Sequence, residues 1–300
     1  MKISIVTPSF RSSDWLKLCV ASVADQEGVE VEHIVQDAQS DDGTQEWLAR
    51  DRRVQAYFEK DLGMYDAVNR GWRRAKGEIL AYLNCDEQYL PGGLSAVEEF
   101  FRRQPQTDVV FADTVVVDKQ GEFICYRKSL VPWKNTMWVY NPVITSSIFI
   151  HCRVLDQHGL FFDTRWRDLG DKVWTVEMVR RGLKMAVLRR FTSSFADTGE
   201  NMNLKPNARR ERELVMEMAP AWVRRCKFPL LQLHRLRALC RGIYWAKPFT
   251  YSIYTLANPA RRVDFLVSRP TAVWWTRHRG HNETQSQSNT SVRPREDLKT

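Results

Sequence analysis

The sequence has few of the features that mark zinc-binding, disulfide-bonded or membrane-spanning proteins. Its six cysteines are scattered, without a Cys-x-x-Cys pair or a histidine-rich spacing, so we expect neither a zinc site nor a disulfide framework, and a reducing compartment is favoured. No uninterrupted apolar stretch approaches the roughly 18 residues that a transmembrane helix needs. The apolar run at residues 3–6 is too short for a signal peptide. We therefore expect a cytoplasmic protein.

Glycine-rich loops that bind phosphate or present a nucleophile are also absent. No G-x-G-x-x-G follows the first predicted strand, and the chain contains neither G-x-x-x-x-G-K-[ST] nor G-x-S-x-G. These absences argue against dinucleotide-binding, P-loop and α/β-hydrolase proteins, because each class depends on its loop for chemistry.

The chain of 300 residues is long enough for one large domain with appendages. Its net charge of +9 is unevenly distributed: residues 201–281 carry 16 Lys and Arg against 4 Asp and Glu, whereas residues 1–200 carry 26 against 29. The basic segment is expected to meet an anionic surface, but no recognised nucleic-acid-binding fold accompanies the charge, so nucleic acid is not expected.

Short apolar strands alternate with helices roughly every 25 residues in the first third of the chain, which indicates βαβ units and a parallel sheet. Further apolar segments and a hairpin near Gly121 predict that antiparallel strands extend this sheet. The fold class is therefore α/β. The predicted strands of the first third are Ile3–Thr7, Val31–Gln36, Val54–Phe58 and Ile79–Leu83.

A polar cluster follows the fourth of these strands. Asn84, Asp86 and Glu87 come directly after Leu83, at a carboxyl strand end, where ligands bind in open α/β sheets. Carboxylate oxygens there are suitable ligands for Mg²⁺ or Mn²⁺. The alternative is an ordinary solvated turn, in which Asn and Asp are favoured by their backbone hydrogen bonds.

Five spaced motifs follow one another along the first third of the chain. In order, they are Pro8, Asp37 with Ser40-Asp41-Asp42-Gly43-Thr44, Glu59 to Gly71 with Asp61 and Gly63-Met64-Tyr65-Asp66-Ala67-Val68-Asn69, Ala75-x-Gly77-Glu78, and Leu83-Asn84-x-Asp86-Glu87. With these motifs the chain resembles family 2 glycosyltransferases with the GT-A fold, over roughly residues 3–200. The resemblance implies a Rossmann-like nucleotide-diphospho-sugar transferase, with a mixed sheet flanked by helices.

The resemblance also implies roles for individual residues. Asp86 is the expected metal ligand; Glu87 stands where the family usually has Asp and is the second candidate. Asp37 is expected to hydrogen-bond the base or ribose. The other expected nucleotide or donor contacts are Pro8, Ser9, Asp61, Asp66, Asn69 and Asn84. For Asp66, capping of the following helix is an equal alternative.

The family's general base lies late in the domain, after a pattern that Gly159-Leu160-Phe161-Phe162-Asp163 resembles. Asp171 falls at the matching position, and Asp168 is the second candidate for the general base. A general base is needed because the acceptor hydroxyl must lose its proton as it attacks the anomeric carbon. The alternative for Asp171 is a cap for the helix predicted from Val173.

Three segments are expected: a GT-A domain at 1–202, a basic and aromatic helical extension at 203–280, and a disordered tail at 281–300. In the extension, Leu233, Leu236, Leu239 and Ile243 share one helical side. This segment either lies on an anionic membrane surface or covers its own core.

The sequence thus predicts a metal-dependent, inverting, hexosyltransferase-type enzyme of cell-surface polysaccharide biosynthesis. It would use a nucleotide-sugar donor and a saccharide or lipid-linked acceptor, with Mn²⁺ or Mg²⁺, at the inner face of the cell membrane. A sugar nucleotidyltransferase is one alternative, although Pro8 to Arg11 lack that class's glycine. A catalytically inactive scaffold of the same fold is the other.

Overall fold

The computed structural model of the protein describes residues 1–140, 144–199 and 206–274. Strands and helices alternate in its first third, as the sequence predicts. The strands are β1 Ile3–Ser9, β2 Val31–Asp37, β3 Gln55–Phe58, β4 Ile79–Tyr82, β5 Glu87–Tyr89, β6 Val109–Val117, β7 Phe123–Arg127, β8 Ile148–His151, β9 Met185–Ala196, β10 Phe249–Thr255 and β11 Asn258–Val267. The α-helices are α1 Ser13–Ala24, α2 Thr44–Leu48, α3 Met64–Arg74, α4 Gly93–Arg103, α5 Arg153–Asp156, α6 Gly170–Arg180, α7 Pro206–Glu217, α8 Ala221–Arg225 and α9 Lys227–Cys240.

Nine strands form one mixed sheet in the order β3-β2-β1-β4-β8-β6-β9-β5, with β7 paired to β6. β1 to β4 are parallel to their neighbours in this group, and β6 is parallel to β9. β8 runs antiparallel to both β4 and β6, and β5 runs antiparallel to β9. The prediction of an α/β mixed sheet is therefore confirmed.

Helices cover both faces of the sheet, which explains why its central strands are apolar along their whole length. On one face, α1 and α4 pack on Ile3, Ile5 and Ala81. On the other, α3 and α6 bring Trp72 and Trp174 together with Phe162, whose ring lies 4.5 Å from that of Trp174 between centroids. Two buried layers thus hold the strand ends in fixed positions.

The prediction that 203–280 is a helical extension is wrong for its second half. Helices α7, α8 and α9 end at Cys240, and β10 and β11 then form an antiparallel hairpin. The alternation in residues 249–255 is that of a strand with one buried face, and Tyr251 and Ile253 pack with Leu90 and with Val115 of β6. The hairpin completes the core of the preceding domain.

The predicted apolar side of the extension does not cover a core of its own. Leu233, Leu236 and Leu239 are exposed, whereas Ile243 lies beyond α9 and is buried. The tail at 281–300 falls outside the described residues. Within the described ranges, no helix combines the length and the apolar character needed to cross a bilayer.

Candidate active site

The carboxyl ends of β1, β2 and β4 meet at one edge of the sheet because the three strands are parallel neighbours. Ser9 is in register with Asp37, and the Cys85 thiol donates a hydrogen bond to the Pro8 carbonyl oxygen at 3.0 Å. Burial, together with the charges of Asp86 and Asp37, raises the pKa of the Cys85 thiol to about 12. The two predicted acids, Asp37 and Asp86, are therefore both close enough to this thiol for their charges to act on it.

Asp37 is fully buried and held by one residue. Its carboxylate accepts hydrogen bonds from the Ser40 backbone N–H at 2.8 Å and from the Ser40 hydroxyl at 2.7 Å. Ser40 also accepts a bond from the Arg11 N–H, and the Arg11 guanidinium contacts both Asp41 oxygens at 2.7 Å. The loops after β1 and β2 are thus fixed to each other beside the site.

Asp86 and Glu87 differ in how deeply their carboxyl groups are buried. Asp86 is partly exposed, and burial raises its pKa to about 6. Glu87 is completely buried, and burial with the charge of Asp86 raises its pKa to about 8. One Glu87 oxygen accepts the Asn84 N–H at 2.9 Å, and the other has no hydrogen-bond partner. This burial favours Asp86 over Glu87 as a metal ligand.

The residues present fit a divalent cation that is held mainly by its substrate. Among the described residues, no group of three His, Cys, Asp or Glu side chains could bind a metal alone. Mg²⁺ is usually held by one or two carboxylates together with substrate phosphates and water, and a single accessible carboxylate such as Asp86 suits that arrangement.

Asp61 and Asp66 order the turn into α3. Asp61 accepts the Gly63 N–H at 2.8 Å, and burial raises the Asp61 pKa. Asp66 accepts the Leu62 N–H and forms an ion pair with Arg70 at 2.8 Å. The N-cap position of α3 is Gly63, so the alternative that Asp66 is the N-cap residue is wrong.

Asn69, expected as a donor contact, instead joins two parts of the protein. Its side chain is 3% exposed, its amide donates to the Phe162 carbonyl oxygen at 2.8 Å, and its own oxygen accepts the Phe162 N–H at 2.9 Å. Both ends of the amide are used, so Asn69 is a positioning residue between α3 and the segment that leads to Asp171. This contact could not be predicted from the sequence, because a polar side chain on an amphipathic helix gives no indication that it is buried.

Asp171 lies in the first turn of α6 and contacts Tyr65. The Tyr65 hydroxyl donates to the Asp171 carboxylate at 3.3 Å and accepts the Asp171 N–H at 3.2 Å. Burial raises the Asp171 pKa. The N-cap position of α6 is Leu169, so the capping alternative for Asp171 is wrong. A Cβ atom on Gly170 would lie 2.6 Å from the Tyr65 ring, so glycine is required for this contact.

Asp168 and its neighbours are held by α7. Glu211, which is 5% exposed, accepts the N–H groups of Arg167 and Leu169 at 2.8 Å and that of Asp168 at 3.0 Å. Asn207 donates to the Asp168 carboxylate at 2.8 Å. Tyr65 and Glu211 are functional candidates that the sequence did not reveal, because a tyrosine on an apolar helix face and a glutamate among arginines have no distinctive pattern.

A cavity of about 230 Å³ lies between the start of α3 and the segment before α6. Tyr82, at the end of β4, is buried: burial raises its pKa well above the usual value, and the charges of Asp171 and Glu87 raise it further. The cavity is lined by Leu62, Gly63, Met64, Tyr65, Asp66, Thr164, Trp166, Arg167 and Asp168.

Several of the predicted residues thus share neighbours. The charges of Asp86 and Asp37 both act on Cys85, and the charges of Asp66 and Asp37 add to the effect of burial in raising the Asp61 pKa. Asp66 and Tyr65 both line the cavity. Such an arrangement can bind a cation and a diphosphate beside a carboxylate that accepts a proton.

Comparison with known proteins agrees with this geometry. Residues 4–166 match the family described as Glycosyl transferase family 2. The putative teichuronic acid biosynthesis glycosyltransferase TuaG of Bacillus subtilis is 33% identical over 103 residues, which is 33% of this chain and 41% of TuaG. The matches to the first three curated relatives span 34% to 57% of their lengths.

Two solved structures share the fold at 16% identity. TarS 1-349 from S. aureus, in complex with UDP-GlcNAc, has a TM-score of 0.59, with 81% of this chain and 75% of that chain covered. Mannosyltransferase PcManGT from Pyrobaculum calidifontis, in complex with GDP-Man and Mn²⁺, has a TM-score of 0.50, with 80% and 75% covered. At this sequence identity, both similarities are evidence for the fold and not for a shared activity.

Proposed function

Because the chain belongs to glycosyl transferase family 2, we propose that it transfers a hexose from a nucleoside diphosphate donor to a hydroxyl group of a saccharide or lipid-linked acceptor. The proposal rests above all on the surroundings of three acids: the charges of Asp86 and Asp37 both act on Cys85 at the strand ends, and Asp171 contacts Tyr65, which lines the cavity.

The donor would bind along the strand ends. Asp37, Pro8 and Ser9 would hold the nucleotide, with Asn84 beside the diphosphate. Asp61 and Asp66, which order the turn before α3, would contact the donor sugar at the cavity. The fixed loops at Ser40 and Arg11 support this placement, since a site formed before binding loses less entropy when the ligand is bound.

Asp86 would hold a divalent cation, Mn²⁺ or Mg²⁺. When bound, such a cation neutralises the charge that develops on the departing diphosphate. The pairing of GDP-Man with Mn²⁺ in PcManGT is consistent with this assignment.

Asp171 would act as the general base, with Asp168 beside it. The acceptor oxygen forms its bond to the anomeric carbon while the bond from that carbon to the diphosphate oxygen breaks, and the hydroxyl proton passes to the Asp171 carboxylate. Attack opposite the leaving group inverts the anomeric configuration. The Tyr65 hydroxyl orients the carboxylate through its hydrogen bond.

The biological setting that we propose is cell-surface polysaccharide synthesis at the cytoplasmic face of the membrane. TuaG, which is similar to this chain over a third of its length, is a putative teichuronic acid biosynthesis glycosyltransferase. A lipid-linked acceptor would place the enzyme next to a bilayer.

A donor panel tests this function against its two alternatives. Purified protein is incubated with Mn²⁺ and UDP-, GDP- and dTDP-sugars, and release of the nucleoside diphosphate is measured with and without saccharide acceptors. Turnover that disappears in Asp86→Ala and Asp171→Asn is expected. Release of pyrophosphate from a nucleoside triphosphate and a sugar phosphate would instead identify a nucleotidyltransferase.

Absence of turnover and of any thermal shift with every donor would overturn the proposal in favour of a scaffold. The matched control is Asp14→Asn, at an exposed acid that forms an ion pair with Lys17 in α1. It should retain full turnover, and all variants should retain the wild-type circular dichroism spectrum.

A further inference from the structure

Helix α9 exposes apolar side chains to solvent. Phe228 is 72% exposed, Leu236 is 56% exposed and Leu239 is 46% exposed, and Leu233 lies beside them at 39%. At about 100° per residue these four side chains fall on one side of the helix. We call them the α9 face. A solvent-facing helix side is ordinarily polar, so this face indicates a contact that residues 1–140, 144–199 and 206–274 do not make.

The opposite side of α9 is firmly attached to the catalytic domain. Leu230, His234 and Ala238 are buried. The His234 ring lies 4.2 Å from that of Tyr140 between centroids, and Arg237 donates to the Val131 carbonyl oxygen at 2.9 Å. The helix is therefore apolar on both sides, and its orientation is fixed by the buried one. Rotation of α9 to hide the α9 face would expose these contacts.

The charged residues of the sequence on both sides of α9 are basic. From Met218 to Val263 the sequence contains nine Lys and Arg residues and no Asp or Glu. Exposed basic side chains lie before, within and after α9: Arg224, Arg225, Lys227, Arg235 and Arg241. Two exposed tryptophans also flank the helix, Trp222 at 48% and Trp245 at 63%. The partner must accept both apolar side chains and positive charge.

We propose that the α9 face and the basic residues around it bind the surface of an anionic lipid bilayer. Phe228 and the leucines would enter the boundary between headgroups and acyl chains, and the guanidinium and ammonium groups would contact lipid phosphates. Amphipathic helices with a basic rim and aromatic residues bind membranes in this manner. An acidic protein would match the charge, but the tryptophans on both sides favour the interface of a bilayer.

The test measures vesicle binding by the full chain without donor or acceptor, so its outcome is independent of sugar transfer. Vesicles of phosphatidylcholine mixed equally with phosphatidylglycerol are compared with pure phosphatidylcholine vesicles by co-sedimentation. Binding to the anionic vesicles alone is expected, and added salt should weaken it because it screens the basic residues.

Two variants separate the apolar and electrostatic contributions. Phe228→Gln/Leu236→Gln/Leu239→Gln should reduce partitioning by about tenfold or more. Arg224→Gln/Arg225→Gln/Lys227→Gln should reduce it on the order of 100-fold, from about 1 kcal/mol for each basic residue. The matched control, Leu256→Gln/Leu266→Gln, changes two exposed leucines of the hairpin and should bind like the wild type.

Cys240 provides an independent readout because it is free and exposed at the end of α9. An environment-sensitive fluorophore is attached to Cys240 in a Cys226→Ser variant. Its emission maximum should shift to shorter wavelength when anionic vesicles are added, because the label then enters a less polar environment.

Failure of the wild type to bind anionic vesicles, or equal binding by the apolar variant, would overturn the proposal. So would a wild-type dimer that the apolar variant converts to a monomer, since a second copy would then cover the α9 face. Donor turnover with soluble acceptors should be unchanged in every variant.

Discussion

At the scale of single residues, the hydrogen bond from Tyr65 is one of the contacts that lower the pKa of Asp171, the proposed base. Burial raises the Asp171 pKa, whereas the hydrogen bonds from the Lys172 backbone and from Tyr65 oppose that rise by stabilising the carboxylate. A base acts only when ionised, so activity increases as pH rises through this pKa.

Removal of the Tyr65 hydroxyl should therefore move the acidic limb of the pH profile. Tyr65→Phe keeps the ring packing on Phe162 but removes the bond to Asp171. The Asp171 pKa then rises, and the limb of kcat should shift to higher pH by roughly one unit. The profile is measured by donor turnover from pH 5 to 9. Tyr57→Phe, at a partly buried tyrosine that contacts Arg74, is the control; an unmoved limb would exclude Asp171 as the base.

His33 is a second residue with a pH-dependent consequence, here for stability. Burial within β2 lowers its pKa to about 3 from the ordinary 6.5. Below pH 6.5 the His33 side chain binds a proton in the unfolded chain but stays neutral in the folded protein. The contribution of neutral His33 to stability is therefore complete above pH 6.5 and is lost as pH falls towards 3.

Replacement of His33 should reduce the acid sensitivity of the fold. His33→Gln keeps a hydrogen-bonding group near the Thr7 hydroxyl, which lies 2.9 Å from the His33 ring nitrogen. Between pH 6.5 and 4.5 the unfolding free energy should fall less steeply, by up to about 1.4 kcal/mol per pH unit. Urea unfolding at several pH values measures the slope. His158→Gln, at an exposed position, should behave like the wild type.

At the scale of elements, two polar contacts connect helices to the segment between Phe162 and Asp171. Asn69 connects it to α3, and Glu211 connects it to α7. Because both contacts are buried, a change at either residue leaves backbone groups without partners.

Asn69→Asp tests whether this residue has a structural role. The substitution replaces the donor to the Phe162 carbonyl with an acceptor, so the unfolding free energy should fall by about 2–3 kcal/mol. The donor KM of the remaining folded enzyme should stay close to the wild-type value. A large rise in KM with unchanged stability would restore the original expectation of a donor contact. Asn135→Asp, outside the site, is the control.

Glu211→Gln tests the contact from α7. Three N–H groups converge on this carboxylate, and an amide would direct two donors of its own towards them. We expect kcat to fall about tenfold, with a small change in donor KM, since the loop before Asp171 loses its position. Glu213→Gln changes an exposed acid of the same helix and should have no effect. A KM effect alone would contradict the assignment.

Local patterns predicted the elements better than the contacts between them. Apolar runs identified β1, β2 and β4, and the resemblance placed Asp37, Asp86 and Asp171 in order along the chain. The roles of Asn69 and Glu211 depend on partners 93 and 42 to 44 residues away, for which neither periodicity nor composition gives a signal. The hairpin was missed because the charge and aromatic content of residues 249–267 hid its alternation.

At the scale of the whole molecule, the hairpin is fastened to the catalytic domain by Arg262. Its guanidinium contacts both Asp25 oxygens at 2.6 and 2.7 Å and donates to the carbonyl oxygens of Ser252 and Tyr89. The side chain is only 13% exposed, so these partners, and not water, must stabilise its positive charge.

Arg262→Gln should lower the unfolding free energy by about 2–3 kcal/mol, because buried acceptors lose their donors. Arg261→Gln, at the exposed neighbouring position, should be nearly neutral. Thermal and urea unfolding of the pair give the comparison. Equal stability of the two variants would mean that the hairpin adds little to the fold.

The late position of the hairpin also matters during synthesis. Leu90, Val115 and Val117 acquire their apolar cover from Tyr251, Ile253 and Val267, which leave the ribosome long after them. Until then the emerging polypeptide carries an uncovered hydrophobic strip, and such strips attract aggregation or chaperones. Burial of this strip in the first half of the fold is thus completed only after β10 and β11 have been synthesised.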